Sequence, residues 1–563
     1  MNNKFEHGEH VKIIVLEHPR IRSEKRFNDI ANTPLWSCLM GGYVASSLKA
    51  AGHEVTFIDC TVNGWDFPRT VDEIMVFPPV LLAVNCVYIW ENSGAIFAFF
   101  QDLRKAGFKG HINLFGFYPT LAYRTILGYC REVDTICVGE CEITVKELAS
   151  CLKSRIEYQG ERGELKLTSR PSILAPDTSF GSFGEIKGLA HRIGEEIRMA
   201  GPRAPLRDLD LFDLPLRVNG GFKTASILGS RGCYNHCSFC PVPSFYNNGP
   251  LWRGRSPENL LLELKALISM GIRDFYFADP NFIGPGKKGK ERTLKLMELI
   301  RPLKITFGME TRPQDLDEET MESLVSSGFT SMLLGVESGS GTLLGQLSKG
   351  STLNSSQRAI ALCRSFGIEP EIGFLMFVPD STLSDLGENL EFLRKNKLLN
   401  RLDRTANLFS HSHIVLMGTS GYKRYDKEGR LVPAGYLGFE GEIEYTDKKV
   451  AWMRDVVVFA CHHVLRQSAL SDSPIHWRKP QEQGPAKRVN DYLVRMFEKL
   501  LKNAESLKTL DDPEMVKKNI EKEIDKVGSL LTRGAPIPPG LSDSDAGIHQ
   551  RKAHPAPRGG GCL

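Results

Sequence analysis

No stretch of this chain approaches the roughly 18 uninterrupted apolar residues of a membrane-spanning helix. Its opening residues, Met1 to His10, are polar and lack the apolar core of a secretory signal. Membrane insertion and export are therefore not expected, and a reducing cytoplasm is the expected location. An excess of one charge sign is missing too: 71 Lys and Arg face 67 Asp and Glu, a net charge of +4. That balance argues against a polybasic nucleic-acid binder, though not against local patches. A working phosphate-binding loop is also lacking. Gly284-Pro285-Gly286-Lys287-Lys288-Gly289-Lys290 comes close, but Glu291 stands where Ser or Thr would ligate magnesium. Its carboxylate would repel phosphate.

Cysteine is what the chain has in quantity, 13 in all. In a reducing compartment that number points to metal ligands or buried thiols rather than disulfides. The final cysteine, Cys562, lies too near the end for a prenylation box.

At 563 residues the chain has room for about three or four domains. Within 1–155, apolar strands at Val11–Leu16, Val55–Ile58, Leu81–Val87, Ile112–Gly116 and Thr135–Val138 alternate with helical segments. This order predicts a doubly wound, flavodoxin-like α/β sheet that binds ligands at the carboxyl ends of its strands. Periodicity fades over 156–222, which reads as a connector. A second alternating series over 223–410 has strands near Ala225–Gly229, Asp274–Ala278, Ile305–Met309, Met332–Val336, Ile372–Phe377 and Thr405–Ser410. Six strand and helix pairs predict a partial (β/α)6 barrel, whose function sits on the loops after the strands. A mostly helical region is expected over 411–533, and a Gly- and Pro-rich disordered tail over 534–563.

The most informative segment follows the first barrel strand: Arg231-Gly232-Cys233-Tyr234-Asn235-His236-Cys237-Ser238-Phe239-Cys240. Three thiolates at Cys233, Cys237 and Cys240 can hold three irons of a cubane cluster and leave the fourth iron open. A zinc site lacking one ligand, or coincidental cysteines, are the plainer alternatives.

This spacing, with Phe239 before the last cysteine and a barrel pattern behind it, resembles the radical S-adenosylmethionine superfamily over residues from about 222 to 400. The resemblance implies a 4Fe-4S cluster whose open iron is chelated by S-adenosylmethionine, which one electron then cleaves to a 5'-deoxyadenosyl radical. An electron donor such as flavodoxin or ferredoxin would be a partner. The strand ends Phe277-Ala278-Asp279-Pro280-Asn281-Phe282, Glu310-Thr311-Arg312-Pro313 and Gly335-Val336-Glu337-Ser338-Gly339 occupy the positions that surround S-adenosylmethionine in similar proteins. Phe239, Asp279, Glu310, Arg312, Glu337 and Ser338 are thus its candidate contacts. Glu310 and Glu337 suit an ammonium or ribose hydroxyls, and Arg312 suits a carboxylate. As lone carboxylates they would more often be structural. Val378-Pro379-Asp380-Ser381-Thr382 departs from the Gly-rich turn expected after the fifth strand.

The N-terminal region resembles the cobalamin-binding domain of one large subgroup of that superfamily. The matching segments are Phe115-Gly116-Phe117-Tyr118-Pro119-Thr120 and Gly139-Glu140-Cys141-Glu142-Ile143-Thr144, and Asn85, Cys86, Val87 and Tyr88, at the end of the third strand, are expected to line the same crevice. Gly116 would let the backbone approach a bulky planar ring. Cys86 and Cys141 also read as ordinary buried thiols. No Asp-x-His-x-x-Gly occurs in this region, so a histidine lower ligand to cobalt is not expected. Cys130, Cys137 and Cys141 lack the spacing of a second cluster, while His411, His413, His462 and His463 read more simply as core or surface residues than as ligands.

Together these features imply a cobalamin-dependent radical methyltransferase acting on an unreactive carbon of a small molecule or peptide, with natural-product biosynthesis as its setting. Two alternatives stand beside it: rearrangement, cyclisation or oxidation with the same cofactors, and a non-catalytic cobalamin and iron–sulfur sensor.

Overall fold

The computed structural model describes residues 11–19, 39–86, 93–153, 156–159, 164–167, 183–218, 223–246, 252–467, 485–506 and 511–528. The described chain divides into two compact units. One runs to residue 375 and adds 413–444; the other comprises 376–412 and the segments from 445 onward.

In the first unit, five strands alternate with helices: β1 (Lys12–Glu17), β2 (Glu54–Asp59), β3 (Leu81–Asn85), β4 (His111–Phe115) and β5 (Thr135–Cys137). They pair in parallel in the order β2-β1-β3-β4-β5. Such a sheet is buried on both faces, and side-chain alternation divides its apolar residues between two cores. Ile13, Val15, Leu81 and Ala83 enter one, while Ile14, Leu16, Leu82 and Val84 enter the other. The strand order reverses between β1 and β3, which opens a crevice beyond their carboxyl ends.

The connector expected over 156–222 contributes more than a linker. A hairpin forms from β6 (Ile156–Gln159) and β7 (Glu164–Leu167). Beyond it, β8 (Leu189–Ile193) and β9 (Glu196–Met199) extend the first sheet antiparallel from β5. Gly194 makes their turn at φ +61°. The outermost strand, β9, alternates exposed and half-buried residues, so its apolar signal is weak.

The second sheet is formed by β10 (Thr224–Ile227), β13 (Asp274–Phe277), β14 (Thr306–Thr311), β15 (Phe329–Glu337) and β16 (Glu371–Phe374), all parallel. Two-residue strands β11 (Ser230–Arg231) and β12 (Arg253–Gly254) pair beside its first loop. Helices fill the crossovers with ordinary caps: Ser256 accepts from Asn259 N ahead of Pro257–Ser269, and Thr352 forms a capping box ahead of Leu353–Ser365.

The expected sixth strand at Thr405–Ser410 is instead part of a helix, Leu402–Ser410. Its apolar residues Ala406, Leu408 and Phe409 are buried on a helical spacing that a strand reading mistakes for a short apolar run. Within the second unit Phe377 and Ser412 form a single parallel bridge. Residues 413–444 depart from the helical expectation too. They hold a small antiparallel sheet of β17 (Val415–Leu416), β18 (Leu431–Ala434) and β19 (Glu440–Ile443), and belong to the first unit.

The second unit is helical, with Leu383–Lys395, Leu402–Ser410, Lys448–Gln467, Pro485–Ser506 and Pro513–Gly528. Phe409 packs on Phe497 with ring centroids 4.6 Å apart. The expected tail from 534, and Cys562 with it, lies outside the described residues.

Candidate functional site

The cysteine loop leaves the second sheet after β10. Strands β11 and β12 pin its start, and Gly232, at φ +78°, turns the chain. Cys233, Cys237 and Cys240 are free thiols of intermediate exposure. Backbone bonds fix the loop at Ser238, whose N–H donates to Leu347 O at 2.9 Å and whose carbonyl accepts from Gly421 N at 2.8 Å. A short helix, Val242–Phe245, follows. Side chains add two ties: Tyr234 OH donates to Asp315 at 2.7 Å, and the Asn235 amide donates to Lys349 O, also at 2.7 Å.

Burial pushes the Cys237 and Cys240 thiols above their ordinary range. They therefore stay protonated until a metal replaces the proton. Among the described residues no three His, Cys, Asp or Glu side chains converge as on one metal ion. A cubane cluster does not ask that of them, since each cysteine binds a different iron.

A row of buried carboxylates lies along the ends of β13, β14 and β15. Asp279, fully buried, accepts from Gly229 N at 2.9 Å, and burial raises its pKa to about 6. Burial raises Glu310 further, to about 8, despite a hydrogen bond from Tyr276 OH at 2.9 Å; the nearby charges of Asp279 and Glu337 push the same way. Glu337, at φ +71°, pairs with Lys349 Nζ at 2.8 Å. Gly335 makes room for that pair, because a Cβ there would sit 2.7 Å from Lys349 Nζ. Arg312 lies 4.8 Å from the Tyr234 ring and donates to Lys349 O. Ser338 Oγ accepts from Ser340 N in its own turn. Phe239 meets His413 edge to face, with centroids 6.3 Å apart; His463 instead bonds Asp525 at 2.7 Å in the second unit.

Lys349 escaped the sequence reading. It sits in a Ser-Lys-Gly turn between two helices, where a lone lysine reads as solvated, yet it is 5% exposed. Burial works against its charge and Glu337 outweighs that effect.

At the carboxyl edge of the first sheet, Asn85 Nδ2 donates to Glu17 Oε1 at 2.6 Å, both residues being buried. Gly116 is at φ +118°, and a Cβ there would lie 2.7 Å from Cys86 O. Only glycine fits. Tyr118 N donates to Cys86 O at 3.3 Å, and the Tyr118 ring meets Phe439 at 4.6 Å. Thr120 Oγ1 accepts from Gly139 N at 3.0 Å, beside buried Pro119. Burial pushes the Cys86 and Cys141 thiols well up, in keeping with structural thiols. Val87 and Tyr88 lie outside the described residues.

Phe117 and Glu140 turn toward the barrel. Phe117 stacks on Phe245 of the helix after the cysteines, with centroids 4.2 Å apart and planes 21° apart. Glu140 accepts from Arg253 at 2.9 Å on each oxygen, from Arg231 at 3.2 Å and from Leu206 N at 3.0 Å. Burial opposes its ionisation, but the two arginines more than offset this and hold its pKa below the ordinary value. With both oxygens engaged by the protein, Glu140 is a clamp between the two sheets rather than a cofactor contact. Glu142 adds a 2.7 Å pair to Arg231, whose guanidinium lies over Tyr43 and Phe212. These partners are far apart in sequence, so no local motif marks the clamp.

The donor sets fit their expected groups. Three free thiols share one loop, the carboxylates include one that burial keeps protonated, and Gly116 lets the backbone pass close to Cys86 at the carboxyl edge of the first sheet.

Residues 227–393 match the family model described as the radical SAM superfamily. An uncharacterized methyltransferase of Pyrococcus horikoshii is 23% identical over 398 residues, 68% of this chain and 78% of that protein. The 4'-phospho-dehydrooxetanocin synthase of Priestia megaterium is 29% identical over 321 residues, 53% of this chain but 40% of the synthase. Among solved structures, the radical S-adenosylmethionine methyltransferase TsrM from Kitasatospora setae, with cobalamin and a [4Fe-4S] cluster bound, superposes with a TM-score of 0.59 at 16% identity. The match covers 88% of this chain and 99% of that one. At such identity the likeness shows a shared fold. No described helix is long and apolar enough to cross a membrane.

Proposed function

Starting from a chain that belongs to the radical SAM superfamily and has the fold of its cobalamin-dependent class, we propose that it is a methyltransferase acting on an unreactive carbon. The observation that carries this reading is the direct contact between the two sites within one compact unit: the Phe117 and Phe245 stack, and Gly139 against the Phe245 carbonyl. When bound, the cluster would supply the electron that cleaves S-adenosylmethionine and cobalamin would carry the methyl group.

The chain's own part is to hold and orient. Cys233, Cys237 and Cys240 would ligate the cluster. Glu310 and Glu337 face the place of a cationic ligand, and Glu310 would give up its proton on receiving an ammonium. Arg312 and Lys349 would receive a carboxylate. Asp279 and Ser338 fix the backbone of Gly229 and Ser340 around that site, while Phe239 walls it. Gly116, Asn85, Cys86, Tyr118, Pro119 and Thr120 line the crevice for cobalamin. A low-potential electron donor of the flavodoxin or ferredoxin kind, a cytoplasmic setting, and a small molecule or peptide from natural-product biosynthesis complete the proposal.

The test is anaerobic incubation of the loaded protein with methyl-labelled S-adenosylmethionine, a reductant and candidate substrates. A product heavier by one methylene unit, with S-adenosylhomocysteine released, supports methyl transfer. A relative named as a synthase rather than a methyltransferase favours a second reading, rearrangement, cyclisation or oxidation without methyl transfer; deoxyadenosine without S-adenosylhomocysteine or label in the product would select it.

A further inference from the structure

Asn235 lies between the first two cysteines of the loop, and its amide nitrogen is 3.1 Å from Cys237 Sγ. The same nitrogen is 2.7 Å from Lys349 O and 3.2 Å from Ser348 O. Carbonyl oxygens only accept, so they dictate which end of the amide faces them. The nitrogen must point this way, and its two hydrogens are shared among the two carbonyls and the sulfur.

The turn that orients Asn235 is itself held. Ser348 and Gly350 are both at positive φ, 53° and 65°. Arg312 donates to the Lys349 carbonyl, and the Lys349 ammonium pairs with Glu337. Asn235 therefore joins the cysteine loop to the row of carboxylates through a fixed donor.

We propose that Asn235 is a positioning residue that tunes the iron–sulfur cluster, its N–H on the Cys237 sulfur making the cluster easier to reduce. This rests on reading Cys233, Cys237 and Cys240 as cluster ligands. A hydrogen bond to a ligand sulfur draws off negative charge and stabilises the state holding one more electron. Lys349 and Arg312 add positive charge beside the same cysteine, and Glu337 a negative one. The step is the gain of one electron from a low-potential donor, dithionite in the assay, with no atom transferred.

The experiment is an anaerobic redox titration, followed by electron paramagnetic resonance, of the reconstituted full chain and of Asn235→Leu and Asn235→Asp. The expected result is four irons per chain in each, a midpoint more negative in N235L than in wild type, and one more negative still in N235D. Aspartate keeps the size, loses the donor and adds a negative charge. An unchanged N235L midpoint at full iron content overturns the proposal. If N235L alone loses iron, N235D decides: a lowered midpoint supports tuning and an unchanged one overturns it. Loss of iron in both variants, with wild type intact, overturns tuning in favour of assembly. A wild type that takes up no cluster removes the functional reading itself, which keeps the two failures distinct.

Discussion

Two buried carboxylates in the first unit, Glu140 and Glu310, illustrate opposite solutions to one problem. Glu140 is met by Arg231 and Arg253, and its pKa falls. Glu310 has a tyrosine hydroxyl and two acidic neighbours, and its pKa climbs to about 8. An ionised carboxylate is costly to bury without a partner. The arginine-paired one therefore reads as structure, and the one kept protonated as a place suited to a ligand cation. Within the row beside the cysteine loop the same contrast sets Glu310 apart from Glu337, which Lys349 pairs.

Breaking that row at the cysteines should have the largest effect. Replacing Cys233, Cys237 or Cys240 by Ala is expected to abolish deoxyadenosine formation and the cluster's absorbance, leaving the thermal transition of the metal-free chain little changed. Metal analysis and a turnover assay check this.

Breaking the clamp comes next. Glu140→Ala leaves the buried Arg253 guanidinium without its carboxylate and Arg231 with Glu142 alone, a loss of about 3–5 kcal/mol by analogy with other buried pairs. Chemical denaturation of the metal-free protein measures it. Glu310→Gln should instead be benign or stabilising there, because a neutral side chain already stands at Glu310 near neutrality.

The contrast sharpens with pH. Glu310 holds its proton in the folded chain up to about 8, whereas its ordinary value is 4.5. Between those values the unfolded chain is ionised and the folded one is not, so Glu310 costs progressively more stability as pH rises, and the cost levels off above about 8. The stability advantage of E310Q over wild type should widen from pH 5 to pH 8. Glu140 has the opposite sign: its contribution is present above the unfolded pKa and is lost as pH falls through the folded one. E140A should thus lose least, relative to wild type, in acid. Parallel urea titrations from about pH 3 to about pH 8 check both slopes.

The smallest effect is expected at the aromatic stack. Phe245→Leu keeps the apolar volume but removes the ring pair, a loss of about 0.5–1.5 kcal/mol, with weaker retention of cobalamin on gel filtration.

Much of this was legible in the sequence, for identifiable reasons. The parallel strands β1 and β3 carry continuous apolar runs, because both their faces are buried, and the three cysteines stand within one short loop. The antiparallel strands β8 and β9 carry charge and show no apolar run. The helix at Leu402–Ser410 shares its apolar pattern with a short strand. Lys349, Arg253 and the true partners of Glu140 depend on contacts between residues distant in sequence, which neither spacing nor periodicity encodes. Phe117 was expected at the cobalamin crevice and turned out to stack on Phe245, a contact that only the meeting of two sheets creates.

The most direct test of the central claim, that one unit carries both cofactors, is stoichiometry. The full chain would be reconstituted anaerobically with iron, sulfide and hydroxocobalamin, desalted, and assayed for iron and cobalt. About four irons and one cobalt per chain are expected, with Cys237→Ala losing the iron and keeping the cobalt. A wild-type chain that retains iron but no cobalt, or neither, would contradict it.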